Sequence, residues 1–233
     1  MEIKYTDKDE AEMVLIPAGD FVFGISDERL TTLYGQKSSV DRYRNEIQEL
    51  HEKKVELPAY YMDRYLVTNR RYGLFLRDQP DIKRPPYLDS SLWGGAEQPV
   101  VGITWADATA FASWVEKRLP TEQEWEKAAR GTEGQLFPWG DDLRKVYCNS
   151  TESGLECTSI VGSFPQSVSP YGLHDMAGNV WEMTSSKYDD NHNVMKGGSY
   201  LTYQIFCRVT ARWYPSEDEM RRLPHWLGFR CVS

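Results

Sequence analysis

Lys196-Gly197-Gly198-Ser199-Tyr200, six residues of mixed character, Cys207-Arg208-Val209-Thr210-Ala211-Arg212, and finally Leu227-Gly228-Phe229-Arg230-Cys231: these pieces decide how the chain reads. Ala177-Gly178-Asn179-Val180-Trp181-Glu182 stands upstream of them. Gly197-Gly198 marks a turn. Arg208, Arg212 and Arg230 read as ties between loops, because a guanidinium fork suits buried carbonyls and carboxylates. Between the pieces lie Leu201 to Phe206, then Trp213, Tyr214, Glu217, Asp218, Arg221, Arg222, His225 and Trp226. Aromatics interleaved with charges of both signs are the composition of a binding surface. Trp, Tyr and Arg are also the usual hot-spot residues. Tyr200, Trp181 and Phe229 are read as core.

Working outward, the middle of the chain carries the clearest local signals. Trp105, Ala108, Phe111, Ala112 and Val115 form one stripe at helical spacing, and Thr104 with Asp107 approximates a capping box at its start. Thr121 and Glu124 repeat the device after Pro120, and that helix is expected to stop near Gly131. Thr68 or Asn69 caps another helix through Arg77. Met13 to Gly24 reads as strand, Pro-Gly turn and strand, hence a hairpin, and Val55 to Val67 resumes strand character. In the charged stretch before it, Tyr43, Ile47 and Leu50 fall at i, i+4 and i+7 and predict a surface helix. Residues 80–95 read as a Pro- and Gly-rich loop. The expected architecture is one α+β domain over residues 1–233, with short antiparallel strands, two main helices, much irregular loop and a charged insertion at about 26–54.

Composition narrows the partners. The formal charge of −8 argues against nucleic acid or an anionic membrane, which both need a basic face. Nothing approaches the roughly 20 apolar residues of a membrane span. The N-terminal residues lack an apolar export segment. Four cysteines are too few for a disulfide scaffold, so a cytoplasmic protein with reduced thiols is expected.

The quoted motifs come in a fixed order with Pro99-Val100-Val101-Gly102-Ile103-Thr104-Trp105, Arg118-Leu119-Pro120-Thr121-Glu122, Phe137-Pro138-Trp139-Gly140 and Ser169-Pro170-Tyr171-Gly172-Leu173. Together they resemble the formylglycine-generating-enzyme, or sulfatase-modifying-factor, family over residues 13–25 and 55–232. The resemblance implies a C-type-lectin-like fold with structural calcium. Calcium takes six to eight oxygen ligands. By resemblance they would come from the Asp175 and Glu182 side chains and the carbonyls of Gly178 and Val180. A second site would use Asn149 with backbone at Ser150 and Leu155. There Ser153 stands in place of the family's carboxylate, and Glu152 is the substitute.

The same resemblance puts a question to Cys207. The family's oxidases hold copper(I) between two cysteines just after Gly-Gly-Ser, since soft thiolates select that ion. Counting forward from Gly197-Gly198-Ser199, Thr202 falls on the first position and Cys207 on the second; counting back from Arg208 and Arg212, Cys207 matches neither, and either count leaves no pair. A lone Cys is more often a small buried hydrophobe than a ligand. Cys148 and Cys157 could close a loop disulfide, and a copper site from Cys207 and Cys231 is the alternative. His51, His174, His192 and His225 show no metal-ligand spacing. No catalytic residue is assigned, Cys207 being the alternative, and copper is not expected. The spacing from Gly-Gly-Ser to Cys-Arg matches diversity-generating-retroelement variable proteins more closely than the oxidases. The expected role is a non-catalytic module that binds a protein, small molecule or glycan through residues 200–227. Tyr203, Phe206, Trp213, Tyr214 and Trp226 are the contact candidates. The alternatives are a metal-dependent oxidase using Cys207, and an accessory or assembly factor that contacts a partner through residues 26–54.

Overall fold

The structure is a computed structural model and describes residues 2–34, 50–143, 146–215 and 224–233. Among the described residues, nine short strands form three sheets. In the first, β2 (Glu12–Ile16) lies between β1 (Ile3–Tyr5) and β5 (Tyr60–Asp63), antiparallel to both, with Val14 opposite Ile3 and Met62. In the second, β3 (Gly19–Phe23) pairs antiparallel with β4 (Lys53–Leu57). The third has the order β8-β7-β6-β9, from Arg212–Trp213, Asn193–Lys196, Trp181–Lys187 and Leu227–Gly228. Here β7 runs antiparallel to β6, while β9 runs parallel to it on the other side.

The hairpin expected over Met13 to Gly24 is corrected. Its two strands exist, but they enter different sheets across Pro17-Ala18. Both hydrogen-bonding edges of β2 are taken by β1 and β5, which leaves none for β3.

The helices follow their local signals. α1 is Asp27–Tyr34, inside the stretch read as insertion, and β4 begins at Lys53 before that stretch ends. Residues 35–49, with Tyr43 and Ile47 of the expected surface helix, lie outside the described residues. α2 is Asn69–Asp78, and the Thr68 side chain accepts from the Arg71 N–H at its start. α3 (Trp105–Trp114) and α4 (Glu122–Arg130) both begin with complete capping boxes, at Thr104/Asp107 and Thr121/Glu124. α4 ends at Gly131, whose φ of 70° suits a residue without a side chain.

The largest apolar cluster packs Tyr72 and Phe75 of α2 against Phe111 of α3, Trp181 and Met183 of β6, and Phe229. A second gathers Trp125 and Ala128 of α4 with Tyr60, Met62 and Val209. With so much irregular backbone to satisfy, buried cations act as ties. Arg130 donates to the carbonyls of Val22, Gly24, Gly134 and Gln135 and to Glu126. Asp9, Asp63, Arg71 and Lys117 form a buried cluster that joins the β1–β2 connection, β5, α2 and the end of α3. Among the described residues no helix is long and apolar enough to cross a membrane.

Candidate functional site

The C-terminal segment leaves the third sheet at Lys196 and turns at once. Gly197 and Gly198 have φ of 95° and 77°. A Cβ at Gly198 would stand 2.6 Å from Cys207 Sγ, and one at Gly197 would stand 3.0 Å from the Trp125 ring. The double glycine is therefore required twice over, for conformation and for space. The chain then folds back through Tyr200, which is buried, and a short 3-10 turn at Gln204–Phe206.

The five expected contact residues fall into separate groups. Trp213 and Trp226 pack together with ring centres 4.4 Å apart, and Trp181 lies 5.6 Å from Trp213. Both outer indoles are half-buried, over the main apolar cluster. Trp226 Nε1 has no hydrogen-bond partner among the described residues. Tyr214 stacks flat on Tyr188 at 3.6 Å. Tyr203 is 59% exposed, and Phe206 is half-buried beside Arg208. These last two belong to the turn that leans on the Thr151–Ser153 element, where Glu152 accepts from the Gln204 N–H at 2.8 Å.

Three aromatics of this face, Tyr87, Trp93 and Tyr188, were not read from the sequence. Tyr200 shares a 2.5 Å hydrogen bond with His225 Nδ1. His225 stacks on Trp93 at 4.8 Å and meets Tyr87 edge-on. Burial pushes the Tyr200 phenol up to about 12 and lowers the His225 imidazole, so the pair is neutral at pH 7. Tyr87 and Trp93 come from the loop over residues 80–95, and Tyr188 from the end of β6. Their aromatic character was the available signal; their placement depends on tertiary contacts. A separate cleft of about 340 Å³ is lined by Glu10, Tyr65, Arg70, Glu97 and Gly162, with none of the expected contact residues. Arg70 in it is paired with Glu97 and Glu10.

The loop over residues 175–182 is held by protein donors. Arg230 grips Glu182 with both arms, Nε to Oε2 at 2.7 Å and Nη2 to Oε1 at 2.9 Å. It also donates to the carbonyls of Asp63, Arg64 and His174. Asp175 accepts from the Gly162 N–H at 2.7 Å, and burial pushes its carboxyl up to about 6. The Gly178 carbonyl accepts from the Val180 N–H at 2.9 Å. The Asn149 amide donates to Cys157 O and Asn179 Oδ1, and its oxygen accepts from Ser153. In this arrangement the Arg230 guanidinium occupies both Glu182 oxygens that the resemblance gave to calcium. Among the described residues no cluster of three or more His, Cys, Asp or Glu side chains could hold a metal ion.

Cys207 and Cys231, considered together as a copper pair, occupy different places. Cys231 packs in the main apolar cluster, its N–H on Asp63 Oδ2. Cys207 lies with Cys148 and Ala177 in a small cluster against Trp139. Burial, with Cys148 beside it, pushes the Cys207 thiol well above its ordinary value. Cys157 is half-buried, and all four cysteines are free thiols.

Comparison with known proteins places this geometry. Residues 2–233 match the sulfatase-modifying factor enzyme 1-like domain, a span that includes the stretch read as insertion. Formylglycine-generating enzyme of Mus musculus is 27% identical, covering 95% of this chain and 75% of its own. Inactive C-alpha-formylglycine-generating enzyme 2 of Bos taurus is 39% identical over 65% of this chain and 55% of its own. Among solved structures, PvdO from Pseudomonas aeruginosa superposes with a TM-score of 0.77 at 23% identity, over 99% of this chain and 97% of its own. Treponema denticola variable protein 1 gives a TM-score of 0.69 at 19% identity, over 99% and 98%. The short antiparallel strands and helices are thus the C-type-lectin-like arrangement of these proteins. The chain belongs to the formylglycine-generating-enzyme, or sulfatase-modifying factor, family.

Proposed function

We propose that this chain is a non-catalytic binding module that takes a protein or glycan ligand through the segment 200–227. The observation that carries this reading is the ordered aromatic tier of Trp181, Trp213 and Trp226, with the Tyr188–Tyr214 stack. Trp213, Trp226 and Tyr214 are half-buried, and rings already fixed by stacking lose little freedom on binding. They offer flat apolar faces to sugar rings or to apolar side chains. The relative named as inactive and the fold shared with a variable protein support the same side. The test is a screen of the purified chain against immobilised oligosaccharides and peptides. Trp213→Ala and Trp226→Ala should each weaken any ligand found by tenfold or more, and Tyr5→Ala should not. Ligands that bind all three variants equally would move the site elsewhere.

The second reading, a metal-dependent oxidase using Cys207, is favoured by one observation: Cys207 has a sulfur neighbour in Cys148. Two soft donors suit a soft monovalent ion. Anaerobic titration of the reduced protein with copper(I), read by thiolate-to-copper absorbance, separates the two. Stoichiometric binding lost in Cys207→Ser would favour the oxidase. Its absence leaves the binding module.

A further inference from the structure

Two thiols from distant parts of the chain are buried together beneath the Gln204–Phe206 turn. The Tyr147 N–H donates to Gln204 Oε1 at 3.1 Å, and Cys148 Sγ approaches the same oxygen at 3.9 Å. The Gln204 carbonyl accepts the Cys207 N–H at 2.9 Å, so one glutamine positions both cysteines. Cys148 and Cys207 then share a small pocket with Ala177, and neither side chain reaches solvent. Among the described residues, Cys207 Sγ otherwise meets weak acceptors, the carbonyls of Thr202 and Tyr203 at 3.8 and 3.7 Å. Behind it Gly198 leaves no room for even a methyl group.

We propose that Cys148 and Cys207 are a disulfide-forming pair, closed by low-molecular-weight disulfides, that fastens the Gln204–Phe206 turn to the Tyr147-Cys148-Asn149 loop. This rests on the packing of the two sulfurs and stands apart from any ligand of the aromatic face. The chemistry is thiol–disulfide exchange. One protein thiolate attacks the small disulfide, forms a protein–small-molecule S–S bond and expels a small thiolate. The second protein thiolate attacks the protein sulfur of that mixed disulfide and expels the other small thiolate. The protein loses two electrons, the small disulfide gains them, and the two protons end on the expelled thiols. Closure is slow, because burial keeps Cys207 protonated and the sulfurs are reached only when the turn opens. Val146, Leu201 and Tyr203, close in sequence to the two cysteines, are all exposed.

The test uses the full chain incubated with oxidised glutathione, alkylated, and digested without reduction for mass spectrometry. The expected result is a single Cys148–Cys207 cross-linked peptide pair and a raised melting temperature, both reversed by dithiothreitol. Cys148→Ala should show neither change. The rate should rise about tenfold per pH unit on the acid side of the thiol pKa. A Cys148–Cys157 cross-link would overturn the proposal. So would recovery of both Cys148 and Cys207 as alkylated thiols when the treated protein is unfolded. The wild-type peptide map decides this without relying on any variant to fold.

Discussion

At the end of β5, Asp9 and Asp63 face Arg71 and Lys117, two acids against two bases. Beneath the C-terminal face, Asp175 and Glu182 have Arg230 as their buried cation. Both clusters are buried and both tie loops, yet Asp9 behaves oppositely to Asp175 and Glu182. Burial drives Asp9 up, but Arg71 and Lys117 outweigh it and hold the carboxyl below its ordinary value. Burial also drives Asp175 and Glu182 up, and there one guanidinium does not offset it. Burial alone does not decide whether an ionised group holds the fold together; the local count of charges does.

The largest break in this comparison comes from unbalancing the first cluster. Lys117→Met leaves two buried carboxylates with Arg71 alone and should cost about 3–5 kcal/mol of unfolding free energy, measured by urea titration. A loss under 1 kcal/mol would mean that Arg71 suffices for both acids. The next effect has the opposite sign. Asp175 has a folded pKa of about 6 against 3.8 when unperturbed, so the folded state holds its proton more tightly than the unfolded state. Stability from this group is therefore full below pH 3.8 and falls as pH rises toward 6, a difference of up to about 3 kcal/mol. Asp175→Asn keeps an acceptor for the Gly162 N–H and removes the charge. It should stabilise the protein at pH 7 by up to about 3 kcal/mol and leave it little changed near pH 4.

Calcium sharpens the same contrast. With Arg230 on Glu182, addition of calcium or of a chelator should leave the melting temperature unchanged. A calcium-dependent rise abolished by Asp175→Asn would show that the ion supplies the missing positive charge. The smallest effect calibrates the rest: Thr121→Ala removes one helix cap and should cost about 1 kcal/mol.

What could be read in advance follows from range along the chain. Both capping boxes and the stop at Gly131 were legible, because a cap is decided by residues three apart. The role of Arg230 as a tie was legible from its chemistry, whereas its partner Glu182 had been given to calcium. The hairpin misled because strand pairing depends on which edges distant strands leave open. Tyr87 and Trp93 reach the aromatic face from a loop that reads only as Pro- and Gly-rich. The meeting of Cys148 with Cys207 required the whole fold, since nothing local to either residue names the other.

The pairing of β6 has an evolutionary consequence. Glu182 stands opposite Lys196 on one side and Gly228 on the other. The excursion between those two residues therefore starts and ends on flanks of a single strand, about 10 Å apart by ordinary strand spacing. Its two feet are set by backbone hydrogen bonds, which are indifferent to side-chain identity. Doubling the length of a flexible loop costs only about 0.6 kcal/mol in closure entropy. The frame can thus accept rewritten surface residues between fixed feet, as a handle accepts different blades.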